Sequence, residues 1–253
     1  MGLFDLFGSK EQREKNALRK AAQKLTEKYG PAENRQQVIE RLAGQGTPAA
    51  LATLCLRFTI RAENGVTDDE EKEMVRGALV DAGEAAVGPV KEFLAQQESG
   101  VAWGLRVLSQ LSGAAEVEGT VLALLQKLGR EYTRDPEKKL VLLSWLSEHP
   151  AGARDVGSGP TIEAALLPLL EDFSDDVRIS AARVLARQPL AEATREALIA
   201  LLLRDQDNAR VRGEVLSALA QLGADVKGHR PAVEPLVVEP WYLDREGQVK
   251  KRS

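Results

Sequence analysis

An all-α fold of repeated helical hairpins is predicted by three observations. The first is a recurring unit. The run SDDVRISAARVLARQP, residues 174–189, opens with acids, gives a Val-Arg pair and an apolar stripe, and stops at a proline. It returns 34 residues later as NARVRGEVLSALAQLG, residues 208–223, with Val177-Arg178 matched by Val211-Arg212. The second is periodicity: apolar residues at i, i+4, i+5, i+7 and i+8 lie on one face of a helix, and the closing Pro or Gly ends it. The third is composition. Aromatics are 4% of 253 residues, so the core must be built from Leu, Val and Ala, which suits close helix-on-helix packing.

The same anchor helix is found going backwards along the chain. It reads DPEKKLVLLSWLSEHP (135–150), GVAWGLRVLSQLS (100–112), EEKEMVRGALVDAG (70–83) and NRQQVIERLAGQG (34–46). The anchor leucines are Leu42, Leu79, Leu108, Leu146, Leu185 and Leu219, spaced 37, 29, 38, 39 and 34 residues apart. A second apolar helix follows each of the first five: residues 47–58, 84–96, 115–128, 161–172 and 190–205. The sixth unit ends in a shortened one, RPAVEPLVVEP. A period of this length, in hairpins that cannot bury their apolar faces alone, predicts an α-solenoid of about six stacked pairs.

The unit D-x-x-V-R-x-x-A-x-x-A-L followed by A-V-x-P-L resembles the HEAT repeat in its short bacterial form. Residues 174–205 and 207–237 carry it best, with 70–96 third, where AAVGPVKEFL and PAVEPLVV hold the expected proline. The units near 100 and 140 lack the Val-Arg pair and carry Trp103 and Trp145. The resemblance spans about residues 34–237 and implies a curved superhelix that binds partners along its surface. It does not fix a function, because this class also holds enzymes. It implies a polar ladder between neighbouring repeats, for which Asp176, Arg178, Asp207 and Arg212 are the candidates.

Three regions are expected: an apolar tip and basic amphipathic helix at 1–30, the repeats at 31–240, and an aromatic, basic tail at 241–253. The net charge of −4 divides into +3 in residues 1–28, +3 in 245–253 and −10 between them. An acidic body argues against a nucleic-acid groove. The tip MGLFDLFGSK carries Leu3, Phe4, Leu6 and Phe7. With the helix behind it, the tip either caps the first repeat or docks on a membrane surface or a partner's groove. Trp241 and Tyr242 are the matching candidates at the other end, where they seal the last repeat ahead of a disordered tail or form a recognition motif. The loops at 59–69 and 148–161 break the rhythm. The first reads as a linker with an Asn-Gly turn, and the second as a flexible or binding insertion.

No catalytic residue, cofactor site or metal site is assigned. His149 and His229 stand far apart without ligand spacing. No phosphate-binding Gly-Lys-Ser/Thr loop and no nucleophile elbow occurs. The pairs Asp68-Asp69 and Asp175-Asp176 fall where helix N-termini want acids. A DNA-glycosylase-like reading would need Trp103, Trp145 and Asp135 in a basic face. The one cysteine, Cys55, sits in an apolar run and reads as structural. The sequence therefore predicts a cytoplasmic, non-enzymatic adaptor or scaffold whose partner is another protein, with peripheral membrane contact through the N-terminus as the alternative.

Overall fold

The structure is a computed structural model that describes residues 10–149 and 159–252. The chain is mostly helical and forms two compact units, Met1–Val117 and Glu118–Ser253.

The first unit holds α1 (Lys10–Leu25), α2 (Ala32–Gln45), α3 (Pro48–Cys55, extended by a 3-10 turn Leu56–Thr59), α4 (Gly65–Asp81), α5 (Glu84–Gln96) and α6 (Val101–Leu111). Helices α2, α4 and α6 lie side by side in one layer, and α1, α3 and α5 in the other. Ala21 and Leu25 of α1 are buried against this first pair, so the described part of the N-terminal helix packs as an additional helix on α2 and α3. Helix α7 (Ala114–Leu128) holds the boundary between units.

The second unit holds α8 (Glu137–Glu148), α9 (Gly159–Leu166, continued by a 3-10 turn Leu167–Glu171), α10 (Asp175–Leu185), α11 (Glu192–Arg204), α12 (Ala209–Leu222) and α13 (Arg230–Val233, with a 3-10 turn Glu234–Leu236). Helices α8, α10 and α12 form one layer; α11 packs between the 3-10 turn after α9 and α13 in the other. All six anchor leucines are buried. Each removes about 1.5–3 kcal/mol of apolar exposure from water, which is why the period in the sequence reports the packing.

Three differences from the sequence reading have clear causes. Helix α4 starts at Gly65, five residues before the expected start, because Asn64 acts as its N-cap and accepts from the N–H groups of Val66 and Thr67. The Asn-Gly pair is thus a cap, and the 59–69 linker is short. Asp68, expected to cap the helix, lies inside α4 and is buried. The tail expected to be disordered forms an antiparallel hairpin, β1 (Trp241–Leu243) with β2 (Val249–Lys251), in register Trp241↔Lys251 and Leu243↔Val249. Val249 is fully buried beside α12, and Gly247, at φ 84°, turns the chain. A buried valine in a basic tail supplies the apolar anchor that holds the strand down.

Candidate functional site

The polar residues that come together are those between successive hairpins. Arg35, Lys72, Lys139, Arg178 and Arg212 each stand seven residues before an anchor leucine. That position is in the first turns of the anchor helix. Only the α6 hairpin departs, with Val101 there.

In the second unit the basic residue does two jobs. Lys139 Nζ donates to the carbonyl of Glu131 at 2.7 Å, in the turn before α8, and to Asp172 Oδ2 at 2.6 Å, at the end of its own hairpin. Both side chains are buried. Arg178 repeats this one hairpin later: Nη1 donates to the Asp172 carbonyl at 2.6 Å and Nη2 to Asp175 Oδ1 at 2.5 Å. Its Nε lies 2.9 Å from Asp205 Oδ2, but the two are poorly aligned, so this contact is a charge pairing and not a directed hydrogen bond. Arg212 donates to the Gln206 carbonyl at 2.7 Å. Asp176 pairs with Arg210 across the hairpins, and Asn208 donates to Asp175 Oδ2 at 2.6 Å. Of the four ladder candidates, Asp176, Arg178 and Arg212 lie along these junctions. Asp207 is exposed, and Asp205 is the carboxylate that meets Arg178.

In the first unit the junction becomes a buried cluster. Glu71 Oε2 accepts from Arg35 Nε and Arg57 Nε, both at 2.8 Å. Asp68 accepts from Arg57 Nη2 at 2.6 Å, Lys72 Nζ at 2.7 Å and the Ala62 N–H at 2.8 Å. Arg35 Nη1 also donates to the carbonyls of Glu27 and Gly30. These five side chains tie the turn after α1 to α2, to the end of α3 and to α4. Burial alone would raise the Asp68 pKa. The Ala62 N–H, Lys72 and Arg57 outweigh it and hold the carboxyl below its ordinary value. Charges removed from water in this way persist only when so partnered.

The position in α6, before Leu108, is filled differently. Phe58 stacks flat on Trp103 at 5.7 Å and meets Phe93 edge-on at 6.0 Å, with the Arg106 guanidinium 4.9 Å from the Trp103 ring. Trp145 is buried and stacks on His149 at 4.4 Å. Asp135 accepts from the Glu137 N–H at the start of α8. The three residues of the glycosylase-like reading are therefore used in packing and capping. Cys55 is buried, and burial pushes its thiol up to about 12, far from a thiolate nucleophile. His229 Nε2 lies 3.0 Å from Glu196 Oε2. Among the described residues no group of three His, Cys, Asp or Glu side chains could hold a metal ion, and no helix is long and apolar enough to cross a membrane.

Among the exposed large hydrophobic side chains, two aromatics meet each other. Tyr132 and Phe173 are 69% and 72% exposed and meet edge to face at 5.6 Å. They follow directly on Glu131 and Asp172, the two groups that Lys139 bolts together, and the Arg130–Glu171 ion pair links the same two turns. At the C-terminus Trp241 is half-buried with Lys251 5.5 Å from its ring, and Tyr242 is exposed with Arg252 5.8 Å away. Leu3, Phe4, Leu6 and Phe7 lie outside the described residues, as does most of the 148–161 insertion. Sequence reading missed the Tyr132–Phe173 pair because neither residue belongs to a periodic stripe. The signal available was an aromatic in each of two turns that precede anchor helices.

Compared with known families, residues 163–245 match HEAT repeats. Neither the curated proteins nor the solved structures gave a match.

Proposed function

Residues 163–245 carry HEAT repeats, and from them we propose that the protein is a non-enzymatic adaptor that binds another protein on the turn edge of its second unit. The Tyr132–Phe173 pair is the observation that supports this reading. Large aromatic side chains are the commonest energetic anchors of interfaces, and they cost least when their geometry is set before binding. Here a buried ammonium and an outer ion pair hold both turns in place. The ladder residues are engaged with their neighbours, so they are read as architecture and not as a ligand site. With its one thiol free and buried, the protein is read as cytoplasmic.

The test is capture from nuclease-treated native lysate with the full chain and with the double variant Tyr132→Ser/Phe173→Ser, read by mass spectrometry. One protein should be recovered by the parent and depleted about 30-fold or more by the variant, the effect of losing one anchor worth roughly 2 kcal/mol. Equal recovery by both would refute this binding edge. The variant should keep its stability within about 0.5 kcal/mol, because both rings are exposed.

A further inference from the structure

Helices α2 and α4 pack against each other and leave an open groove of about 660 Å³ between them. Its lining takes the last two turns of both helices, so their C-terminal ends lie together at one end of it. The floor is apolar and made of small residues: Ala43 from α2, Gly77 and Ala78 from α4, with Met74 beside them, 36% exposed. Glu40 and Asp81 are its only charged residues, and no cation stands in the lining. Neither carboxylate has a hydrogen-bond or ion-pair partner among the described residues. Gly77 is a further sign. A glycine inside a helix is unfavourable relative to alanine. Nothing in the fold requires it here, since nothing outside its own stretch of helix stands within 4 Å of where a Cβ would lie.

We propose that this groove docks a cationic amphipathic helix of a partner protein. Charge selects the cation. Glu40 and Asp81 are both unanswered, and the last carbonyls of two helices add partial negative charge at the same end. The floor selects a helix. An extended segment would bring backbone N–H and C=O groups onto a surface with nothing to bond them, whereas a helix satisfies its own. The groove is two turns long, about 10 Å, and takes apolar side chains spaced i, i+3 or i+4, and i+7, with Lys or Arg flanking that stripe. The missing side chain at Gly77 lets the incoming backbone come close, and Met74 can repack around it. This groove lies in the first unit and is separate from the Tyr132–Phe173 edge, so the two readings stand or fall independently.

The test is selection of random displayed peptides of about 16 residues, long enough to form a helix, on the full chain. The selected peptides should be cationic and amphipathic, gain helical circular dichroism on binding, and bind more weakly as salt rises. Gly77→Leu fills the groove and should weaken binding about tenfold or more. It should not lower the melting temperature, because its Cβ has open space and leucine favours a helix. Glu40→Gln/Asp81→Gln should weaken binding about fivefold. Neutral or acidic winners, failure to select any peptide, or equal binding by the parent and Gly77→Leu would overturn the proposal. Binding lost only with Tyr132→Ser/Phe173→Ser would also overturn it and assign the peptides to the second unit's edge. A dimer of the parent in ultracentrifugation that Gly77→Leu dissolves would overturn it as well, since a second copy would then fill the groove.

Discussion

Asp172 receives the ammonium of Lys139, 33 residues away, at 2.6 Å with both side chains buried. Its own carbonyl oxygen then accepts from Arg178, so one residue closes one hairpin and holds the next. Lys139→Met should destabilise the protein by about 3–5 kcal/mol in urea unfolding, because a buried carboxylate loses its partner. The double variant Lys139→Met/Asp172→Leu should recover most of that loss. If the double variant is as unstable as the single, the ion pair is not what the buried carboxylate depends on.

Acid should loosen the first unit through Asp68. Its carboxyl titrates below the ordinary value of 3.8 when folded, so the unfolded chain takes up that proton first as pH falls. The stabilisation it contributes is complete well above that value and is lost as pH drops through the lower, folded one. Asp68→Asn should flatten this acid limb. Unfolding midpoints measured between pH 6 and pH 2.5 would show it, and a parallel fall in both proteins would exclude Asp68 as the source.

Gly100 is irreplaceable for two separate reasons. It sits at φ 78°, and a Cβ there would meet the carbonyl oxygen of Phe58 at 2.5 Å. Gly46 has φ 60° in the same left-handed region and open space around it. Gly46→Ala should therefore cost about 1–2 kcal/mol, the backbone penalty alone, and Gly100→Ala clearly more. Thermal melts of the two variants give the comparison.

Cys55 should be silent to thiol reagents in the folded protein. With its pKa at about 12, on the order of one molecule in ten thousand carries the thiolate at pH 8. Labelling with a chromogenic disulfide should proceed only at the rate of opening and become complete in denaturant.

The period of the fold could be read from the leucines because burial is what repeats. All six anchors predicted from spacing are in the core. The basic residues at the hairpin junctions were only partly legible. Arg178 and Arg212 stood out because each follows a valine, but Arg35, Lys72 and Lys139 occupy the same place without it. Seven positions before the anchor, Arg35, Lys139, Arg178 and Arg212 reach back to a carbonyl of the previous turn, while Lys72 pairs with Asp68 of its own helix. Asp68 was misread because an acid near a helix start ordinarily faces water, and nothing local announces Arg57 from the preceding helix. The hairpin at 241–251 escaped because three-residue strands are too short to display alternation. The Tyr132–Phe173 contact joins residues 41 apart in turns with no pattern of their own.

The buried ion pairs also bear on how the protein responds to heat. The cost of keeping charge away from water falls as temperature rises, whereas the gain from apolar burial levels off. Links such as Arg57–Glu71 and Lys139–Asp172 thus hold relatively better in a warm protein than in a cold one. Helix α6 carries Val101 at the corresponding position and stacked rings nearby, so that junction rests on apolar contact and should gain less from warming than those two links.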